Sequence, residues 1–416
     1  MSVLLALAWR SLRNRRLIST LTIASIALSV ALLVGIEHVR LGVRESFQGT
    51  IRGTDLIVGA RGGTTQVLLS TVFGMATPSG TISWATYERW AAHPAVKWTI
   101  PFALGDAHKG HRVIGTTAAF FEQYRFRDQR VTFASGHAPA TAREIAVGSE
   151  VAERLGYAVG DSVVLAHGVA AVSFAEHTAH PFIVSGVIAR TFTPIDRALY
   201  TTLDGLTEMH ETEEAAGGLM MGPPPAPVAP GAKPPITSFL VGTKNRVETI
   251  QLQFEMNQDR TEPLTAIIPG VALAQLWQTI GSAEVGLRVV ALFTVLVGLI
   301  GMCVALYASL ESRRREMAIL RAVGAGPRAI VSLLVFESAL LATTGAATGV
   351  LLVYSVIAAA RSAVEARFGL ALTLHALGAV EWSYLGLVVV AGTLVGVLPA
   401  WRAYRSSLAD GLSPKL

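Results

Sequence analysis

A single cysteine, Cys303, stands in 416 residues, so no intramolecular disulfide forms and no cysteine set can hold zinc. Charge is scarce as well. Asp, Glu, Lys and Arg make up 15% of the chain, well under the roughly 25% of soluble domains. No Gly-x-x-x-x-Gly-Lys-Ser/Thr run occurs, so the chain cannot cradle nucleotide phosphates on a P-loop. Neither a Gly-x-Ser-x-Gly elbow nor a His-Glu-x-x-His pair is found, which makes a hydrolytic domain a poor reading. Apolar residues are what abound, at 51% of the chain with a mean hydropathy of +0.49. Low charge with that content excludes wholesale disorder and points to an integral membrane protein.

Four stretches can cross a bilayer as helix, which takes about 20 residues. Residues 17–36 and 289–310 hold no charge, and residues 329–360 hold one, Glu337. Residues 382–401 are uncharged and end on Trp382 and Trp401, whose rings favour the interface. Arg10, Arg13, Arg15 and Arg16 precede the first span as they would in a secretory signal. Its apolar run is long for a signal, however, and no small-residue cleavage site follows Ile36, so an uncleaved anchor is expected.

Basic residues in short flanks set orientation. Residues 1–16, 311–328 and 402–416 carry +4, +3 and +2, and the chain totals +5, so the remainder is −4. In the 361–381 loop Arg361 and Arg367 balance Glu365 and Glu381. Both termini and the 311–328 loop are therefore expected in the cytoplasm, with residues 37–284 outside it. The basic balance is a topology signal, and no nucleic-acid partner is expected.

The 37–284 segment reads as α+β. Asp161–Leu165 and Phe182–Ile188 look like strands, and Glu150–Leu155 ahead of Gly156 looks like a short helix closed by glycine. Seven prolines from Pro223 to Pro235 mark a flexible or polyproline-II loop over residues 217–235. His38–Gln48 and Val271–Arg288 read as stalk helices continuing spans one and two. The predicted fold is an integral membrane α-helical protein of four transmembrane helices, with a large extracytoplasmic α+β domain between helices 1 and 2.

Between spans two and three runs Glu311-Ser-Arg-Arg-Arg-Glu-Met-Ala-Ile-Leu-Arg-Ala-Val-Gly-Ala325. The spacing predicts a short basic amphipathic helix ended by Gly324, with Met317, Ile319, Leu320 and Val323 available for docking. In an arbitrary membrane protein such a string is a solvated positive-inside loop. Here it resembles the coupling helix of FtsX-like, MacB-type ABC transporter permeases. The order of one span, a large domain and three spans is similar to that family's. Leu4–Arg16, with Leu5, Trp9 and Leu12 on one face, resembles its amphipathic lead-in helix. Phe336-Glu-Ser-Ala-Leu340 with Gly345 and Gly349 resembles its third span, and Pro399-Ala-Trp-Arg-Ala-Tyr404 its C-terminal exit. Ala146–Tyr157 with Val159-Gly-Asp161, and Phe182–Tyr200 with Pro194-Ile-Asp196, look like its small barrel-like subdomain.

The resemblance implies a permease subunit of the mechanotransmission type, without enzymatic activity of its own. A separate cytoplasmic ABC ATPase, in two copies, would bind the ATP and Mg, leaving this chain without a cofactor. A second copy of the chain and the surrounding membrane lipids are expected partners, with a periplasmic adaptor or substrate-binding protein as a further candidate. The implied location is the inner (plasma) membrane. Glu311, Arg313, Arg315, Glu316, Leu320 and Arg321 would contact the ATPase, with Gly324 ending the helix. Ala318 departs from the pattern, where glycine is frequent. The implied work is export or extraction of a substrate from the periplasm or outer leaflet: a lipoprotein, peptide or other amphiphile. Activation of an external enzyme is the other output open to the family, although the large domain argues against it.

Other residues weigh less. Glu337 is the one ionisable group within a span; relay or ion site is the default for such a group, but its position near the span's start favours a structural role. Gly345/Gly349 and Gly392/Gly396 have the spacing that lets helices approach closely. Nine histidines (His38, His93, His108, His111, His137, His167, His177, His180 and His210) fall in the large domain or its stalks. His108/His111 and His177/His180 are each three apart, but their flanks do not look helical, so a metal site is the minority reading. Met220-Met221 beside the proline loop reads as disordered or as a soft contact rather than as a metal ligand. The rival functions are a membrane-anchored receptor without an ATPase, a metal-handling protein using the histidines, and a channel. A hydrophilic pore is hard to build from four spans with so few polar groups.

Overall fold

The computed structural model describes residues 15–167, 180–215, 233–322, 325–368 and 374–406. The expected lead-in helix, the proline-rich loop, His177, Met220-Met221 and Gly324 lie wholly or mostly outside these residues. Two compact units result: Met1–Gly42 with Gly281–Ser362 and Leu372–Leu416, and Val43–Ile280 with Ala363–Ala371.

The first unit is helical. Four helices are long and apolar enough to cross a membrane: span 1 (Arg16–Thr50), span 2 (Pro269–Ala322), span 3 (Pro327–Phe368) and span 4, which is broken into Ala379–Val395 and Val397–Ser406. Each places apolar side chains outward as hydrocarbon surroundings demand; Leu21, Leu28, Phe293, Val297, Leu351 and Leu394 are all exposed. Val30, Val34, Ala291, Met302, Ala342 and Val388 turn inward and are buried.

Glycine sets the spacing of this bundle. A Cβ built on Gly345 would sit 2.7 Å from Ile26 Cγ2, and one on Gly349 2.6 Å from the Ala27 carbonyl oxygen, so span 3 lies backbone-close to span 1. A Cβ on Gly392 would meet Ala342 Cβ at 2.6 Å, and one on Gly396 would meet Ser338 Cβ at 2.5 Å, which brings span 4 equally close to span 3. The two glycine pairs thus serve contacts within one chain. Ser29 Oγ donates to the Thr294 carbonyl (3.0 Å), joining spans 1 and 2.

Two features differ from the expectation. Residues 382–401 do not form one helix, because Pro399 has no N–H for the carbonyl of Val395, four residues back. Gly396 occupies the break. The 311–322 string is not a separate short helix either; it is the last part of the unbroken helix Pro269–Ala322. Nothing between Ala308 and Ala322 is a proline or glycine that would interrupt the hydrogen-bond ladder.

The second unit is built on a mixed sheet of eleven strands. Nine of them are β1 (Leu56–Ala60), β2 (Val96–His108), β3 (His111–Thr116), β4 (Phe133–Gly136), β5 (Glu144–Val147), β6 (Phe182–Ile188), β7 (Leu199–Thr202), β8 (Ser238–Thr243) and β9 (Leu264–Ile267). They lie in the order β9-β1-β8-β2-β3-β7-β5-β6-β4. The pairs β3/β7 and β5/β6 are parallel and the other neighbours antiparallel. Side chains alternate faces along a strand. Ile57 and Leu240 therefore enter one core with Phe73, Phe102 and Phe120, while Leu56, Val58, Phe239 and Val241 enter another with Tyr87, Trp90 and Met256. Both faces being covered explains why β1 reads as a continuous apolar run. A third core gathers Val113, Ile145, Val147, Phe182 and Leu199.

Asp161–Leu165 and Phe182–Ile188 do pair: Val163 stands opposite Phe182 and Ser162 opposite Ile183. The short helix Ser149–Leu155 ends on Gly156 at φ 74°, a left-handed cap that glycine adopts without strain. At the far edge β9 has a side-chain neighbour. Asn257, ending the helix Arg246–Asn257, accepts from Ala266 N (2.8 Å) and donates to Ala266 O (3.0 Å).

Candidate functional site

Glu311, Arg313, Arg315, Glu316, Leu320 and Arg321 all fall within span 2's helix, and Gly324 lies outside the described residues. Only the helical backbone of residues 311–321 is described. Glu337 is 2% exposed, in the interior of span 3. Its neighbour Ser338 is fully buried against Gly396.

A cluster absent from the sequence reading sits at the other end of the bundle. Glu37, His38 and Arg40 lie on span 1, Glu284 and Arg288 on span 2, Tyr354 on span 3 and Glu381 at the start of span 4. Glu37 accepts from Arg40 Nε (3.1 Å) and pairs with its Nη2. Arg288 Nη2 approaches Glu37 at 3.5 Å, and Arg40 Nη1 approaches Glu284 at 3.8 Å. His38 Nδ1 donates to Glu381 Oε1 (2.7 Å), with the two side chains only 3% and 1% exposed. Glu381 Oε2 accepts from Gly378 N (2.6 Å), which caps span 4. The Tyr354 ring stands edge-on to His38 at 5.2 Å, while its hydroxyl donates to the His375 carbonyl (2.6 Å). Among the described residues the buried His38 Nε2 has no hydrogen-bond partner.

Glu37, His38 and Glu381 are buried, and parting a buried carboxylate from its partner strands it in a medium of low dielectric. The cluster therefore ties all four spans at one level. A signal for it exists in the sequence. Glu37/Arg40 and Glu284/Arg288 are opposite charges at helical spacing just beyond the apolar runs. What the pattern does not reveal is that these turns converge.

The histidines do other work. His108 and His111 face each other across a two-residue turn, Lys109-Gly110, whose φ values are both positive (47° and 82°). Such turns match the twist of a hairpin, and the spacing of three arises from that. His108 Nδ1 donates to the Val164 carbonyl (2.6 Å), leaving Nε2 to accept from the Tyr157 hydroxyl (2.8 Å), so both ring nitrogens are engaged. His111 Nδ1 donates to the Arg197 carbonyl (3.1 Å). His93 Nε2 lies 3.4 Å from Glu255, His180 Nε2 3.7 Å from Glu208, and His137 Nδ1 donates to its neighbour Ala138 O (2.9 Å). Of His167 and His210 only the backbone is described. Among the described residues no three His, Cys, Asp or Glu side chains converge as a metal would need.

Two carboxylates of the sheet unit are shifted in opposite directions. Burial raises the pKa of Asp196, and the bonds it accepts from Thr191 N (2.9 Å), Thr191 Oγ1 (2.8 Å) and Phe192 N (2.7 Å) only partly offset this. For Asp259 burial also opposes ionisation, but the Thr261 amide, Arg89 and Trp90 Nε1 outweigh it and hold the pKa below the ordinary value. Both carboxylates organise turns: Asp196 closes Thr191–Arg197, and Asp259 ties the helix Trp84–Ala91 to the end of Arg246–Asn257.

Two family profiles match the sequence. Residues 19–258, more than half of the chain, match the MacB-like periplasmic core domain, and residues 288–408 match the FtsX-like permease C-terminal. Among solved structures, the periplasmic region of MacB from Actinobacillus actinomycetemcomitans is similar with a TM-score of 0.34 and 10% identity, over 55% of this chain and 94% of that one. The extracellular domain of the noncanonic ABC-type transporter YknZ from Gram-positive bacteria is similar with a TM-score of 0.30 and 10% identity, over 51% of this chain and 99% of that one. No curated protein matches the sequence.

Proposed function

The chain belongs to the FtsX-like, MacB-type ABC transporter permeases, and from that premise we propose that it converts the ATP-driven closure of a separate cytoplasmic ATPase pair into movement of its large domain. Glu311, Arg313, Arg315, Glu316, Leu320 and Arg321 receive that motion. The observation that carries the reading is the continuity of the helix Pro269–Ala322. A displacement at Glu311 runs to Arg288 along about 34 Å of one unbroken helix at 1.5 Å per residue. There Arg288 meets Glu37 of span 1, so the two spans respond together.

In this scheme two copies of the chain work with two ATPase subunits, and ATP and Mg belong to the ATPase. The output is export or extraction of a lipoprotein, peptide or other amphiphile from the periplasm or outer leaflet, with no polar pore through the bilayer. Charge distribution supports both termini lying in the cytoplasm.

The test is affinity purification in mild detergent, with identification of co-purifying chains and an assay of ATP hydrolysis. A small ATPase is expected with the wild type, and its binding or hydrolysis is expected to vanish in Glu316→Ala/Arg321→Ala. A well-folded wild type that repeatedly brings down no ATPase would sink the reading and leave a receptor. In the same cells, Lys109→Cys in a Cys303→Ala background should react with an impermeant maleimide from the non-cytoplasmic side. Labelling only after lysis would reverse the orientation.

A further inference from the structure

We propose that the sheet unit holds a binding site for a small amphiphile with an anionic headgroup, carboxylate or phosphate, in the cleft between the Leu69–Phe73 turn and the Pro194–Arg197 turn. The cleft encloses about 370 Å³, within the range of small-molecule sites, which pair an apolar lining with a few fixed polar groups. Binding here is a property of this chain alone and does not depend on the coupling reading.

The headgroup end is defined by charge. Arg112, Arg154 and Arg197 line the cleft with a single carboxylate, Glu150, between them. Glu150 is buried; Oε2 accepts from Arg197 Nε (2.8 Å) and Oε1 pairs with Arg154 Nη2 (2.9 Å). One carboxylate thus serves two guanidinium groups. Arg112 has no ion pair among the described residues and donates instead to the Ala76 carbonyl (2.7 Å). Burial pulls its pKa down, the mark of a cation without a counter-ion. Among the described residues the buried Arg197 Nη2 has no hydrogen-bond partner. A buried donor is costly to leave unpaired, and a planar guanidinium fork fits a carboxylate or phosphate best.

The tail end is defined by the floor. Val72, Met75, Leu104 and Ile114 line it with at least partly exposed apolar side chains, over a buried layer in which Phe120 stacks on Tyr200 with centroids 4.8 Å apart and meets Phe102 edge-on at 5.7 Å. An inorganic anion would leave that floor wet. A plain hydrocarbon would leave the arginines unanswered. At the rim, a left-handed Gly74 (φ 62°) ends a single π-helical turn, Leu69–Phe73, and a Cβ there would come 3.3 Å from Arg112 Cδ. The glycine leaves Arg112 room to lie across the opening.

The full chain in nanodiscs of zwitterionic phosphatidylcholine would be titrated calorimetrically with octyl phosphate, inorganic phosphate and octanol, with empty nanodiscs as the blank. Saturable binding of octyl phosphate is expected, with the other two at least about tenfold weaker. Arg112→Gln and Arg197→Gln should each weaken it about tenfold, in line with the strength of a hydrogen bond to a charged group. Arg130→Gln, on an exposed position, should leave it unchanged. Equal binding of inorganic phosphate would make this an anion site only. Equal binding of octanol would make it an apolar cavity only. Absence of saturation above the blank would remove the site. If either variant melts early, a photoreactive octyl phosphate on the wild type decides: labelling within residues 70–75 and 194–200 supports the site, and labelling confined elsewhere overturns it.

Discussion

Glycine to alanine, made at two positions in the spans, should move stability in opposite directions. At Gly386, in span 4, a new Cβ meets nothing within 4 Å. Alanine there gains helix propensity of about 1 kcal/mol. At Gly349, in span 3, the same methyl group would lie 2.6 Å from the Ala27 carbonyl oxygen and 2.8 Å from Val30 Cβ. A backbone oxygen cannot rotate away, so spans 1 and 3 must separate by several tenths of an ångström. Overpacking of this kind costs about 3 kcal/mol at its upper end. The propensity gain still applies, leaving a net loss of about 2 kcal/mol. The two variants should then differ by about 3 kcal/mol, and at about 2–4 °C per kcal/mol the melting temperatures separate by roughly 6–12 °C. Thermal melting of both proteins in the same detergent, followed by tryptophan fluorescence, reads this directly. If Gly349→Ala melts at or above the wild type, or if both variants shift alike, the close approach of spans 1 and 3 is refuted.

Other outcomes follow from the buried polar groups. Removing one member of the hydrogen-bonded His38–Glu381 pair should cost about 1–3 kcal/mol, and the double variant His38→Ala/Glu381→Ala should lose distinctly less than the two singles together; strict additivity in melting free energies would show the residues to be uncoupled. Asp259 titrates below the ordinary carboxylate value, so its stabilisation is complete above about pH 4 and fades as pH falls through the folded value. The gap between wild type and Asp259→Asn, about 1–2 kcal/mol at pH 7, should therefore narrow toward pH 3, and a gap that stays constant would contradict the assignment.

How far the sequence reveals these features depends on how local their causes are. Long uncharged runs identify the spans because lipid imposes its demand on every residue in turn. The glycine cap at Gly156 and the strand Phe182–Ile188 are legible for the same reason: each rests on residues within a few positions. Pro399 also announces the break in span 4, although an otherwise continuous apolar stretch conceals it. The His108/His111 spacing has its explanation in the Lys109-Gly110 turn between them, a signal that metal-ligand arithmetic overlooks. Groups gathered from distant segments are a different matter. Glu381 meets His38 across 343 positions of chain, and Arg112, Arg154 and Arg197 come together because β3, the helix Ser149–Leu155 and the turn before β7 border one cleft. No periodicity encodes such meetings.

Membrane confinement gives the side chain of Asn257 an importance beyond its two bonds to Ala266. Chains held in a bilayer encounter one another in two dimensions, and an unpaired strand edge invites a neighbouring copy to add its own strand. The amide of Asn257 occupies the N–H and C=O that such a strand would take, imitating the next backbone while being unable to propagate the ladder. An intruding chain must first displace an intramolecular partner already at hand. One asparagine at the end of a helix thereby blunts this edge at Ala266.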